Sequence, residues 1–308
     1  MQIYLPVADL PVNMFLLFAM GIAIGFLSGM FGIGGGFLLT PLLIFIGVAP
    51  AVAVATVSTH IAASSLSGIF AYWRRNALDL SLASMLLVGG LVGTVAGVWV
   101  ISLLRKAGQL DLAIGLSYVT LLGIVGIMMV VESARAILRT RKGRRPDVRR
   151  PGSHAWFHGL PLKMRFKQSK IYVSVIPVWV IGTVIGFLGA VMGIGGGFLL
   201  VPALIYLLRV PTGTVIGTAM VMTLVTMTAA TVLHSATNHS VDVVLALILM
   251  TGGVIGAQFG ARAGQKVRSE QLRLLLGMLV LSVGMRFAFN LVVKPDDLYS
   301  VLPAEGAL

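Results

Sequence analysis

The stretch Gly25–Leu39, GFLSGMFGIGGGFLL, occurs a second time as Gly186–Leu200, GFLGAVMGIGGGFLL, at an offset of 161 residues. Pro41 recurs as Pro202 at the same offset. Four glycines and one aspartate recur further on at an offset of 163, as Gly89/Gly252, Gly90/Gly253, Gly93/Gly256, Gly97/Gly260 and Asp79/Asp242. The chain therefore consists of two halves that are copies of one another.

The composition places these halves in a membrane. Of 308 residues, 57% are hydrophobic and 11% are charged, and the mean hydropathy is +0.99. Soluble domains carry about 25% charged residues, so this chain has too little polar surface to coat a globule. The chain contains no cysteine, which excludes disulfides, thiolate metal sites and cysteine nucleophiles. We predict an all-α polytopic membrane protein.

Apolar segments follow one another with short breaks. They cover residues 12–31, 36–48, 50–73, 79–104, 110–133, 172–192, 197–208, 210–233, 242–262 and 271–293. Most of them reach the roughly 20 residues of a bilayer-spanning helix, but the second and the seventh are too short. The sequence thus predicts two repeats of about five helical segments, residues 1–133 and 172–308, each with a half-length helix after its GIGGG loop.

Residues 134–171 are predicted to form a basic linker between the repeats. The stretch from Arg135 to Lys170 holds twelve of the 23 lysines and arginines and one acid, Asp147. One basic stretch in an apolar chain is typical of a cytoplasmic loop beside anionic lipid head groups, and we expect no nucleic-acid partner. No lysine or arginine precedes the first apolar run, so we expect no removable signal peptide.

The distribution of charge also predicts the orientation of the repeats. With five segments per repeat, the second repeat is inverted relative to the first. A cytoplasmic linker then places most flanking cations inside the cell: Arg74, Arg75, Arg209, Arg262, Lys266, Arg268 and Arg273. Four spans per half would make the repeats parallel and leave Arg209 and residues 262–273 outside. The positive-inside rule favours the inverted arrangement, with both termini outside.

The triple glycines predict a site for a small anion. Glycine costs a helix interior about 1 kcal/mol relative to alanine, and irregular backbone at membrane depth must line protein or a watery cavity. A helix of about 12 residues spans about 18 Å, less than a hydrocarbon core of about 30 Å. The helix starts at Gly34–Gly36 and Gly195–Gly197 are therefore recessed, and their amides and dipoles face inward. Such paired short segments mark transporter binding sites. In the alternative interpretation, the glycines only allow close helix crossings.

Hydroxyl groups extend the predicted site. Thr56, Thr59 and His60 share one helical face, and Thr218 lies in the matching segment of the second half. That segment carries, among others, Thr214, Thr218, Thr223, Thr226, Thr228 and Thr231. Hydroxyl groups that face a cavity could donate to an oxyanion, although bonds between helices or to the preceding turn explain any single one equally well. Taken together, the row of hydroxyls favours a transport pathway. His60 could bind the substrate, carry a coupling proton or simply pack.

Enzymatic sites are not predicted. Phe37 follows the first glycines where a phosphate-binding loop needs lysine and serine or threonine, which argues against a nucleotide site. The predicted spans contain no carboxylate pair, Ser-His-Asp set or metal-ligand cluster. We therefore expect no catalytic residue, no metal and no cofactor.

The glycine motif, in residues 29–43 and, with Ala190 in place of the first glycine, in residues 190–205, resembles the TauE/SafE family. The family consists of bacterial membrane proteins described as sulfite and organosulfonate exporters. The resemblance implies a multi-pass transporter of the inner membrane whose partner is a small sulfur-containing oxyanion, and we expect export by alternating access. A small-anion channel and a non-transporting scaffold or assembly protein are the alternatives. The sequence leaves open the anion, the direction, ion coupling and the choice between a monomer and a homo-oligomer.

Overall fold

The computed structural model describes residues 2–31, 35–74, 78–141, 161–166, 168–169, 171–208, 210–264 and 269–292. Within them the chain forms ten helices: α1 Met14–Phe31, α2 Gly36–Phe45, α3 Pro50–Trp73, α4 Leu80–Lys106, α5 Leu110–Arg141, α6 Val175–Met192, α7 Gly197–Tyr206, α8 Thr212–Asn238, α9 Val243–Gly264 and α10 Ser269–Val292. Seven of these helices are long and apolar enough to cross a bilayer. The ten predicted segments and the all-α polytopic class are confirmed.

Two short hairpins accompany the helices. Strands β1 (Gln2–Leu5) and β2 (Leu10–Asn13) pair antiparallel before α1, and β3 (Lys163–Phe166) and β4 (Ile171–Ser174) pair antiparallel before α6. The hairpins therefore occupy equivalent places in the two repeats. The second hairpin and the end of α5 lie partly within the segment 134–171, most of which is outside the described residues.

The two repeats are interlocked by close helix crossings. Helix α1 of the first repeat packs along α9 of the second, and α6 packs along α4 in the equivalent way. A Cβ added at Gly25 would lie 2.6 Å from the Cα of Gly253, and one added at Gly186 would lie 2.9 Å from the Cα of Gly90. No real Cβ tolerates such distances, so these glycines serve the close packing of small residues that is common between membrane helices.

Equivalent helices of the two repeats run in opposite directions. Thr59 of α3 meets Thr231 of α8, and Gly68, further along α3, lies against Met220, which is earlier in α8. Helices α5 and α10 cross antiparallel in the same manner. Antiparallel packing of equivalent helices is the arrangement of an inverted-topology repeat. The structure thus has the inverted geometry that the charge distribution favours.

A buried aspartate joins each hairpin to the opposite repeat. Asp242 precedes α9; its Oδ1 accepts a hydrogen bond from the Leu245 amide at 3.0 Å and caps the helix. Its Oδ2 accepts from the amides of Val7 and Ala8, in the turn between β1 and β2, at 3.0 and 3.3 Å. The first hairpin is therefore held on the start of α9.

Asp79 repeats this arrangement at the other end of the helix bundle. Its Oδ1 accepts from the Leu82 amide at 3.1 Å and caps α4, and its Oδ2 accepts from the Ser169 amide, between β3 and β4, at 2.9 Å. The bundle thus has a β1–β2 end and a β3–β4 end, which the inverted repeat makes equivalent.

Candidate functional site

The two glycine turns meet between the repeats. Phe37 and Phe198 are equivalent residues that follow the turns, and their buried rings stack with centroids 4.3 Å apart and planes 12° apart. Helix α2 begins at Gly36 and α7 begins at Gly197. The N-termini of both short helices therefore lie close to the axis that relates the repeats.

The depth of the turns follows from Ile61, which lies halfway along α3. A Cβ added at Gly36 would be 2.1 Å from Ile61 Cδ1, and one added at Gly195 would be 2.8 Å from Ile61 Cγ2. Both turns are thus buried about midway between the two ends of the bundle, at the depth where the sequence predicts them. Gly34 lies outside the described residues.

The backbone of the turns also needs glycine. Gly35, Gly193 and Gly195 have φ values of 58°, 62° and 71°. A residue with a Cβ pays a steric penalty in this left-handed region, whereas glycine does not. Gly196, by contrast, has a right-handed backbone with φ −53° and ψ −26°. Among these turn glycines it is therefore the one that can be changed to alanine without backbone strain.

The two short helices begin in different surroundings. Ile61 and Thr223 occupy equivalent positions of α3 and α8, since Thr56 and Thr218 are equivalent at the same offset of 162. Ile61 covers the start of α2 with hydrocarbon. The Oγ1 of Thr223 lies 3.4 Å from the position of an added Cβ at Gly196, beside the start of α7. This hydroxyl is buried and has no hydrogen-bond partner among the residues that the structure describes.

The structure places two of the predicted threonines away from the glycine turns. Thr56 Oγ1 accepts from the Asp242 amide and Thr218 Oγ1 accepts from the Asp79 amide, each at 3.1 Å. These hydroxyls lie near the β1–β2 end and the β3–β4 end. Thr59 Oγ1 lies 3.3 Å from Thr231 Oγ1, between α3 and α8. All three hydroxyls make the contacts between and within repeats that the packing interpretation describes.

His60 lies at the contact between α3 and α9. Its Nδ1 is 3.0 Å from the Leu249 carbonyl oxygen, and its buried Nε2 has no hydrogen-bond partner within the described part of the chain. The ring lies over Gly253, where an added Cβ would be 2.0 Å from Cε1. Met222 occupies the equivalent position of α8 and lies over Gly90. The two repeats therefore differ at this position, with histidine in the first and methionine in the second. His60 directly precedes Ile61, which lies against both glycine turns.

Tyr118 belongs to this region, although the sequence does not predict it. Its hydroxyl donates to the Met192 carbonyl at the end of α6, and its ring stacks on Phe287 with centroids 5.2 Å apart. Thr40 Oγ1 donates to the adjacent Gly193 carbonyl at 3.3 Å. Two side chains of the first repeat therefore fix the entry to the second glycine turn. A single tyrosine in an apolar helix carries no sequence signal for this role.

The donors available at the turns are backbone amides and hydroxyl groups. The first amides of α2 and α7 lack partners within their own helices, and the helix dipole adds partial positive charge at each start. Thr223 adds a neutral donor at one of the two starts. Such a site attracts a small anion without a fixed positive charge.

Within the described ranges, ten helices form two interlocked inverted repeats, and seven of these helices are long and apolar enough to span a bilayer. This arrangement defines a multi-pass membrane protein with the architecture of secondary transporters. A family model described as "Sulfite exporter TauE/SafE" matches residues 17–287, and the chain belongs to this family. The resemblance carried by the glycine motif is thereby confirmed.

Curated relatives agree with this assignment. The "Probable membrane transporter protein YjnA" of Bacillus subtilis is 28% identical over 87% of this chain and 96% of its own length. A "Probable membrane transporter protein" of Xylella fastidiosa is 29% identical over 84% of this chain and 89% of its own. The "Sulfite exporter TauE/SafE family protein 1" of Arabidopsis thaliana matches 42% of this chain at 30% identity, over 27% of its own length. No solved structure matches the chain significantly. The family and the names of its members indicate a membrane transporter and not an enzyme.

Proposed function

We propose that this protein exports small sulfur-containing oxyanions, such as sulfite or organosulfonates, and binds them at the N-termini of α2 and α7. The observation that carries the proposal is the stacking of Phe37 on Phe198, which brings two oppositely oriented helix starts together midway through the bundle. Helix N-termini at the interface of inverted repeats are the usual anion sites of secondary transporters. The family's description as sulfite exporters supports the choice of anion.

The membrane potential supplies the driving force. A bacterial cytoplasm is electrically negative, and moving one charge across 100 mV is worth about 2.3 kcal/mol. Efflux of a monovalent anion is therefore downhill without a coupling ion. We propose that one repeat rocks against the other, so that the site opens alternately toward the β1–β2 end and the β3–β4 end. In this scheme, the linker 134–171 lies on the cytoplasmic side of the bacterial inner membrane, beside anionic lipid head groups.

Flux measurements in proteoliposomes test the proposal. Purified protein reconstituted into liposomes should move labelled sulfite faster than empty vesicles do, and an imposed potential should change the rate with the sign expected for an anion. Flux equal to that of empty vesicles, for sulfite and for sulfonates, would contradict the proposal and favour a scaffold or assembly protein. Unitary currents in planar bilayers would instead identify an anion channel.

Gly196→Ala tests the site itself. An added Cβ at Gly196 would lie 3.2 Å from Ile185 Cγ2 and 3.4 Å from Thr223 Oγ1, so it fits after small shifts but occupies the space beside the α7 start. We expect a folded protein with at least tenfold lower sulfite flux. Gly123→Ala is the matched control, because Gly123 lies inside α5 with nothing within 4 Å of its added Cβ. Unchanged flux in Gly196→Ala would remove the α7 start from the substrate path.

A further inference from the structure

We infer that Thr223 donates its hydroxyl hydrogen to the transported oxyanion, so that the anion is bound asymmetrically, at the start of α7 and not equally at both short helices. The inference rests on the proposed function and assigns a specific donor and a specific half of the pseudo-symmetric site. It makes Thr223 a substrate-binding residue in the second repeat.

The first observation is the unsatisfied state of this hydroxyl. Thr223 is 1% exposed, and no described residue is a hydrogen-bond partner of its Oγ1. Six other threonines of α8 donate to a carbonyl of the preceding turn: Thr214, Thr218, Thr226, Thr228, Thr231 and Thr237. Thr223 lies among them on the same helix and does not use this option. A buried unpaired hydroxyl is costly, and a ligand that accepts its hydrogen removes the cost.

The second observation is the position of the hydroxyl beside a helix start. Gly196 caps α7, and a Cβ added there would lie 3.2 Å from Ile185 Cγ2 and 3.4 Å from Thr223 Oγ1, so the Thr223 hydroxyl lies next to the start of α7. The first amides of α7 and the Thr223 hydroxyl are thus donors on the same side of the second glycine turn. An oxyanion has several acceptor oxygens and can bond to the hydroxyl and the amides together.

The third observation is the difference between the repeats. At the position equivalent to Thr223, the first repeat has Ile61, whose Cδ1 would lie 2.1 Å from a Cβ at Gly36. Hydrocarbon therefore covers the α2 start and offers no donor. The same side chain contacts Gly195, so Ile61 also forms an apolar wall for the second turn. This arrangement fits a single anion that accepts hydrogen bonds on the Thr223 side and faces hydrocarbon on the Ile61 side.

The variant Thr223→Val tests the inference, because valine keeps the shape and removes only the hydroxyl. We expect the KM for sulfite to rise about tenfold to a hundredfold, the loss typical of one hydrogen bond to a charged group. In the absence of sulfite, the melting temperature should equal or exceed that of the wild type, because no protein hydrogen bond is lost. Thr223→Ser should restore transport.

Thr226→Val is the matched control. Thr226 is equally buried on the same helix, but its Oγ1 already donates to Met222 and lies within reach of the Thr223 carbonyl. We expect its KM to stay within twofold of the wild type. A wild-type KM in Thr223→Val would overturn the inference and leave the proposed function standing.

A thermal-shift titration with sulfite distinguishes a failure of the proposed function from a failure of the inference about Thr223. If the wild type moves no anion above empty vesicles, the proposed function fails. Sulfite that still stabilises the wild type and Thr226→Val, but not Thr223→Val, would support the assignment of Thr223 to a binding site. Equal stabilisation of all three, or stabilisation of none, would refute it.

Discussion

The buried carboxylate of Asp242 connects the two repeats, and exchanging one of its oxygens tests this connection directly. The variant Asp242→Asn replaces one carboxylate oxygen with an NH₂ group and leaves the shape unchanged. In the wild type, the two oxygens accept from the amides of Leu245, Val7 and Ala8. An asparagine that keeps the bond to Leu245 points its NH₂ group at the Val7 and Ala8 amides, so donors face donors.

The expected loss follows from these contacts. Hydrogen bonds to a charged acceptor contribute about 1.5–3 kcal/mol each, and two of them connect Asp242 to the first hairpin. Asparagine also removes a buried charge and its desolvation cost, which offsets part of the lost hydrogen-bond energy. We therefore expect a loss of about 3 kcal/mol in the free energy of unfolding. For a protein of 308 residues, that corresponds to a fall of about 5 °C in melting temperature.

Thermal unfolding of the purified protein in detergent, followed by circular dichroism, measures this loss. Asp79→Asn breaks one hairpin bond, to Ser169, and should lose about half as much. Asp111→Asn, on the exposed first turn of α5, is the control and should change the melting temperature by less than about 1 °C. A melting temperature for Asp242→Asn equal to that of the control would show that the carboxylate does not hold the hairpin.

The absence of cysteine from the chain makes two further experiments clean. Gln109→Cys, exposed just before α5, should react with a membrane-impermeant thiol reagent in intact cells, whereas Ser153→Cys in the linker should react only after lysis; the opposite result would reverse the proposed orientation. The pair Thr59→Cys and Thr231→Cys should form a disulfide on mild oxidation, because their hydroxyl oxygens are 3.3 Å apart. A protease site inserted in the linker detects this disulfide, because the two halves of the cleaved chain should stay joined until the disulfide is reduced. Separation of the halves before reduction would contradict the antiparallel contact of α3 and α8.

The two hairpins could not be predicted from the sequence. The strands are only four residues long; β2 contains Pro11, and β3 reads KMRF, an alternation of just four residues within a segment whose basic composition predicts a linker. The sequence identifies Asp79 and Asp242 as equivalent residues of the two repeats but does not predict their bonds to the hairpins. These contacts join residues more than 80 positions apart, and local patterns carry no signal for them.

The amino-acid sequence by itself determined the ten helices, their half-length members and the repeat, because the thickness of a bilayer sets the length of apolar segments and an identical motif marks equivalent places. It also determined that glycines stand where short helices begin. Only the tertiary structure decided which hydroxyls are already satisfied. Thr56 and Thr218 bond to the aspartates at the two ends, and Thr223 stays unpaired beside α7. The physical reason is that a threonine's partner depends on the crossing and rotation of neighbouring helices, and residues distant in the chain set both.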